Sequence, residues 1–107
     1  MFNLGQSAEA RSEAFLKTHG LKLVARNWRC RFGEIDLVMQ DGPTLVFIEV
    51  RMRSRTDFGG AAASVTASKQ KKLLAAARQY LGALATLPPC RFDVVAFTGD
   101  APPEWIK

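Results

Sequence analysis

The sequence predicts an α/β domain, a mixed central β-sheet flanked by helices in the order α-β-β-β-α-β. Three observations lead there. Apolar residues recur at helical spacing near the start of the chain and again from about Thr66 to about Leu84. Between these stretches lie three strand-like runs, two of them joined by the turn signal Gln40-Asp41-Gly42-Pro43. After the second helix, Arg91-Phe92-Asp93-Val94-Val95-Ala96-Phe97 is dense enough in apolar residues to read as a strand buried on both faces.

The first helix is capped in the expected way by Asn3, and Leu4, Ala8, Phe15 and Leu16 mark its apolar stripe. It ends at His19-Gly20, where glycine suits the position just past a helix and a histidine is favoured by the helix dipole. Glu9 and Glu13 lie four apart and share a face; spacing alone does not choose which of them leans towards the sheet. Leu21 to Trp28 follows as a strand, with Leu21, Leu23 and Ala25 alternating against Lys22, Val24 and Arg26. The next run, Asn27-Trp28-Arg29-Cys30-Arg31-Phe32-Gly33, interleaves aromatics with arginines. Such interleaving can stack bases and pair phosphates; the commoner role at a strand turn is core packing, and that is the expectation for Trp28 and Phe32.

Gly33 to Val38 and Leu45 to Arg51 form a charged β-hairpin. With Asp41-Gly42 as a two-residue turn, Gln40 faces Pro43, Ile35 faces Ile48, Leu37 faces Val46, and Glu34 faces Glu49. Apolar residues then share one face and carboxylates the other. Like charges opposite one another destabilise a sheet, so this face needs a compensating cation, either Arg51 or a divalent ion held by carboxylate oxygens. A solvated, salt-bridged strand face is the bland alternative.

The segment Ser54 to Ser64 reads as a loop rich in small residues, and Pro88-Pro89 stops the second helix. Glu104-Trp105-Ile106-Lys107 is expected to pair as a short edge strand or to dock its tryptophan. At 107 residues the chain suits one domain, residues 1–107. No apolar run approaches the roughly 18 residues of a membrane span, so no membrane association is expected. The first residues lack the basic and apolar regions of a signal peptide, which leads to an expectation of the cytoplasm. Cys30 and Cys90 lack metal-ligand spacing and read as reduced structural thiols.

The net charge of +5 is modest but unevenly placed. From residue 51 to 78, Arg51, Arg53, Arg55, Lys69, Lys71, Lys72 and Arg78 stand against the single Asp57, a surplus of six, while the rest of the chain sums to −1. Lys69, Lys71 and Lys72 occupy the first turns of a helix, where cations oppose the dipole and a bound phosphate would be favoured by dipole and lysines together. A basic segment beside an acidic cluster suits a polyanionic partner such as nucleic acid, with Arg53, Arg55, Lys69, Lys71 and Lys72 as its contacts.

The run Asn27 to Val38, followed by Phe47-Ile48-Glu49-Val50-Arg51 and Lys69-Gln70, resembles the YraN-type family of small bacterial proteins. That family is similar to the PD-(D/E)xK, or restriction-endonuclease-like, nuclease superfamily, related to archaeal Holliday junction resolvases. The resemblance implies a restriction-endonuclease-like fold and a Mg²⁺- or Mn²⁺-dependent nuclease acting on DNA, with branched or structured DNA suggested by the resolvases. Asp36 matches the metal-binding aspartate, Glu49 the acidic residue of the pattern, and the Ala8-Glu9 … Phe15-Leu16 … Gly20 run selects Glu9 as the helix carboxylate. On this reading Asp36, Glu49, Glu9 and the backbone carbonyl of Val50 would hold the metal, and Gln70 matches a polar position on the helix after the core strands. Arg51 stands where the superfamily has lysine, and Ala8 where the family has glycine. A two-fold resolvase suggests a homodimer. Arginine at position 51 also leaves open a non-catalytic nucleic-acid-binding domain on the same fold, and a third reading, a protein-interaction module with a merely solvated charged hairpin, stays beside both.

Overall fold

The computed structural model describes residues 4–53, 65–98 and 102–107, with side chains from residue 8 in the first helix and as far as residue 52 in the third strand. The elements are α1 (Leu4–Thr18), β1 (Lys22–Cys30), β2 (Gly33–Asp41), β3 (Thr44–Arg53), α2 (Ala67–Gly82), β4 (Cys90–Thr98) and β5 (Glu104–Ile106). The strands form one open sheet in the order β1-β2-β3-β4-β5. It is mixed, as predicted: β3 and β4 are parallel, and every other neighbouring pair is antiparallel. Parallel neighbours need a crossover between them, and α2 supplies it.

Local chemistry sets the helix boundaries. Thr66 caps α2 by accepting the Lys69 N–H at 3.2 Å. Gly20, at φ +91, takes the left-handed conformation just past α1 that a residue with a Cβ resists. The expected cap at Asn3 lies outside the described residues, as does the loop from Ser54 to Ser64. His19 is structural as expected: Nδ1 lies 2.9 Å from the Phe15 carbonyl oxygen, and its ring meets Phe15 and Trp105. Cys30 and Cys90 are both free thiols.

The sheet has an apolar layer on each face. Ala8 and Leu16 of α1 pack on Leu37, Met39, Val46, Ile48 and Val95. Ala76 and Ala77 of α2 pack on Ile35, Val38, Leu45 and Phe47. Along β3 the faces alternate strictly, Leu45 and Phe47 towards α2, Val46 and Ile48 towards α1.

The hairpin register differs from the expected one. Asp41 pairs with Thr44, Met39 with Val46 and Leu37 with Ile48, so the turn is Gly42-Pro43 and every partner moves by two residues. Proline explains the shift. It has no N–H to give a ladder, so it belongs in the turn and not opposite Gln40. Gly42, at φ +59, supplies the conformation that a primed hairpin turn needs at its first central position. The even shift leaves Leu37, Val46 and Ile48 together on the α1 face, but Ile35 lies in the α2 layer with Phe47, so the apolar residues do not share one face as expected, and Glu34 no longer stands opposite Glu49.

Two irregularities in the first two strands matter for the site. A bulge between Leu23 and Ala25 moves β1 from the α1 layer to the α2 layer. Further on, the pairing passes from Arg26↔Leu37 to Trp28↔Ile35, and between them Asn27 has φ +49. Leu37 belongs to the α1 layer and Ile35 to the α2 layer, so the face reverses across Asp36. Asn27 and Asp36 thus mark a crease in the sheet.

Trp28 is in the core as expected, edge-on to Tyr80 with ring centroids 5.3 Å apart. Phe32 is not. It is 37% exposed at the β1–β2 turn, beyond the reach of either layer. The first part of β4 also departs from two-sided burial: Phe92 is 41% exposed because a cleft of about 360 Å³ separates the first turns of α2 from β3 and β4. The edge strand is present, and its tryptophan docks as well. Trp105 Nε1 donates to buried Asp93 at 2.9 Å, Arg91 Nε donates to the same carboxylate at 3.1 Å, and Arg91 Nη2 reaches Asp41 at 3.0 Å. Among the described residues, no helix is long and apolar enough to cross a membrane.

Candidate metal centre

The crease brings carboxylates from two elements together. Asp36 stands where β2 changes faces, Glu34 lies two residues earlier, and Glu9 comes from α1. One oxygen from each lies within 4.8 Å of the other two. Two oxygens trans across a Mg²⁺ would be about 4.2 Å apart, so the set fits a hard divalent cation with small side-chain adjustments. Carboxylate oxygens are also the donors that such an ion takes.

Asp36 is fixed by the next strand. The ladder between β2 and β3 ends at Leu37↔Ile48, and one step beyond it Asp36 Oδ2 accepts the Val50 N–H at 2.9 Å. Burial raises the Asp36 carboxyl above its ordinary range, this N–H opposes the rise, and the Glu34 charge adds to it. Glu9 is raised as well, by burial first and then by the Asp36 charge, with a hydrogen bond involving Asn27 working the other way. The residue that creases the strand therefore also steadies the helix carboxylate.

Glu49 is 5% exposed and faces the cleft under α2. Burial, with the Asp36 charge next, pushes its carboxyl up to about 7. Two cations hold its Oε1, Lys69 Nζ at 3.6 Å and Arg51 Nη1 at 3.8 Å. Oε2 is buried without a hydrogen-bond partner, as is Arg51 Nε. A desolvated carboxylate oxygen left unpaired is costly, and it marks an atom available to a proton or a ligand.

The structure thus groups Asp36 with Glu9 and Glu34, and sets Glu49 beside them between two cations. Val50 reaches the site through its N–H to Asp36. Gln70 lines the Glu49 cleft while its side chain donates to the Val65 carbonyl at 2.9 Å. Glu13, on the same helix face as Glu9, is engaged elsewhere: Arg26 clasps it through two bonds of 2.6 and 2.9 Å, and Lys17 adds a third contact at 2.7 Å. Those partners hold its carboxyl down to about 2, so it is a structural anion.

Of the cations expected to meet nucleic acid, Lys69 points at Glu49, while Lys71 and Lys72 are exposed on α2. Arg53 ends β3 with its side chain outside the described set, and Arg55 lies outside the described residues. Three residues gain importance beyond the sequence reading. Glu34 joins the carboxylates, Asn27 supports Glu9, and Lys69 carries a compact ammonium to Glu49. Glu34 already stood among the hairpin carboxylates that a divalent ion could compensate, and Asn27 had a local signal too, because asparagine inside a strand run is the residue most able to adopt positive φ.

The sequence profile of the family described as Uncharacterised protein family UPF0102 matches residues 8–97. A UPF0102 protein of Nitrosospira multiformis is 57% identical over 105 residues, 96% of this chain and 88% of its own length. One from Nitrosomonas eutropha is 53% identical over 98% of this chain and 90% of its own, and one from Cupriavidus taiwanensis is 57% identical over 96% and 79%. A profile match spanning all but the ends and identities above one half along nearly the whole length make this chain a member of the UPF0102 family of small bacterial proteins.

Proposed function

We propose that this protein is a Mg²⁺- or Mn²⁺-dependent nuclease that hydrolyses phosphodiester bonds in DNA. The observation that carries the reading is the crease at Asp36, which gathers Glu9, Glu34 and Asp36 within 4.8 Å and leaves Glu49, flanked by two cations, beside them.

Glu9, Glu34 and Asp36 would hold the ion, with the unpartnered oxygen of Glu49 available to join them. A bound divalent ion supplies charge neutralisation on the scissile phosphate and a more acidic water. The protein groups have separate tasks. Val50 N–H keeps Asp36 oriented. Glu49, its carboxyl pushed up to about 7, gives up a proton near neutrality, and only the ionised Oε2 is then offered to the ion. The Arg51 guanidinium can pair a phosphate oxygen but holds its proton too firmly to serve as a proton donor. Lys69 brings to Glu49, from α2, the compact ammonium that strand position 51 lacks.

The test is cleavage of single-stranded, duplex and junction DNA by the purified protein in Mn²⁺ or EDTA, beside Glu49→Ala, Asp36→Asn and Arg51→Lys. Expected is EDTA-sensitive cutting that both carboxylate variants abolish. Cutting that survives Glu49→Ala refutes the assignment. Arg51 favours one alternative, a domain that binds nucleic acid without cutting it. Salt-dependent binding with no cleavage by the wild type, and cutting gained in Arg51→Lys, would select that alternative.

A further inference from the structure

The β1–β2 turn presents an aromatic ring where the fold has no use for one. Phe32 is 37% exposed and belongs to neither apolar layer. It is held instead by charge, with the Arg31 guanidinium carbon 4.8 Å from its ring centroid. Arg29 and Arg31 are both exposed beside it, and Arg29 makes only a loose 3.6 Å contact with Glu34. Across from the turn is α2: a Cβ built on Gly33 would lie 3.7 Å from the Lys72 Cβ, so an exposed lysine from the helix stands against the same tip.

A solitary exposed phenylalanine needs no explanation by itself. This one carries the Arg31 guanidinium on its ring, has Arg29 three residues before it and the Lys72 backbone segment against the next residue, Gly33, and lies two residues from Glu34, a chain path of no more than about 7 Å. On α2, Lys72 and Lys69 are three apart and share a face, Lys72 at the turn and Lys69 at Glu49. Cations therefore run from the turn to the carboxylates, as a phosphate backbone would require, and the ring is at the outer end.

We infer that Phe32 is a base-stacking platform, flanked by Arg29, Arg31 and Lys72, and that it makes the protein select nucleic acid with an unstacked base next to the bond presented to the carboxylates. In an intact duplex both faces of an internal base are covered by its neighbours. A ring can stack only on bases at single strands, ends or branch points. This assignment rests on the nucleic-acid reading of the acidic site and narrows its substrate class.

The experiment measures binding in EDTA, so that it does not depend on cleavage. The wild type, Phe32→Ala, Phe32→Trp and Lys72→Ala are titrated onto a single strand carrying 2-aminopurine and onto a covalently closed circular duplex, which has no ends, with urea unfolding as a check that each variant folds. Phe32→Ala is expected to weaken single-strand binding about five- to a hundredfold and duplex binding by no more than about twofold. Phe32→Trp should keep the affinity and quench the 2-aminopurine. Lys72→Ala should weaken both ligands alike and lower the salt slope by about 1. Equal losses on both ligands in Phe32→Ala, or no loss at all while the wild type binds DNA, overturn the platform and leave the nuclease reading standing. A wild type that binds neither ligand overturns both.

Discussion

Replacing Glu49 by glutamine separates the electrostatic cost of this residue from its shape. Its carboxyl lies at about 7 against an ordinary 4.5, with burial as the largest cause and the Asp36 charge as the second. A tenfold change in proton affinity is worth about 1.4 kcal/mol, so the ionised side chain holds up to about 3 kcal/mol against the fold above neutrality. The sign follows from which state binds the proton more tightly. The folded state does, so the stability contributed by the protonated group is complete below pH 4.5 and is lost as pH rises through 7. Glutamine cannot ionise. In EDTA, Glu49→Gln should match the wild type near pH 4.5 and exceed it by about 1–3 kcal/mol at pH 8, the lower end allowing for the Lys69 and Arg51 contacts it gives up. Urea unfolding across that range, with unchanged m-values, is the assay. A variant less stable than the wild type at pH 8, or a difference that does not vary with pH, would refute the account of Glu49 as a desolvated anion awaiting a ligand.

Two further outcomes test the site and its frame. Glu34→Gln should weaken Mn²⁺ binding, read by calorimetry, at least about tenfold, whereas Glu13→Gln should leave it unchanged and lower stability by about 1–2 kcal/mol through loss of the Arg26 clasp; equal effects on metal binding would dissolve the distinction between the two glutamates. Asp93→Ala leaves the Trp105 indole N–H without its acceptor and the Arg91 guanidinium with Asp41 alone, so it should cost about 2–3 kcal/mol in urea unfolding and shift tryptophan emission, and a loss below about 1 kcal/mol would show that this network is not what holds β5.

The order of elements was legible because it rests on periodicity, which is local. The 3.6-residue spacing of Leu73, Ala77, Tyr80 and Leu81 and the alternation of Leu45 to Ile48 each need only a few neighbours to be read. The hairpin register was legible in parity and not in partners: alternation placed Leu37, Val46 and Ile48 on one face but missed the reversal that sends Ile35 to the other, and Asp41-Gly42 competed with Gly42-Pro43 for the turn until the missing N–H of Pro43 decided it. Glu9 and Glu13 could not be told apart by spacing, since both face the sheet; Arg26 and Lys17 separate them, and neither contact is visible along the chain. The partners of Glu34 and Lys69 were hidden for the same reason. The first reaches Asp36 through a reversal of strand face, the second reaches Glu49 across a helix-to-sheet gap. Phe32 was read as core because aromatics at strand turns usually are, yet the turn extends past the edge of both layers.

The crease at Asn27 and Asp36 also makes the spacing of the carboxylates a mechanical quantity. Ile35, on one side of Asp36, is wedged into the layer beneath α2, and Leu37, on the other, into the layer beneath α1. Asp36 therefore rides on a fulcrum between two independently packed volumes. Protein interiors are dense enough that a methylene lost from either layer is felt by its neighbours. Apolar substitutions far from any charge, made in opposite layers, would tilt the same carboxylate in opposite senses. Evolution can thus retune the spacing of these carboxylates through the size of buried aliphatic side chains, leaving every acidic residue in place.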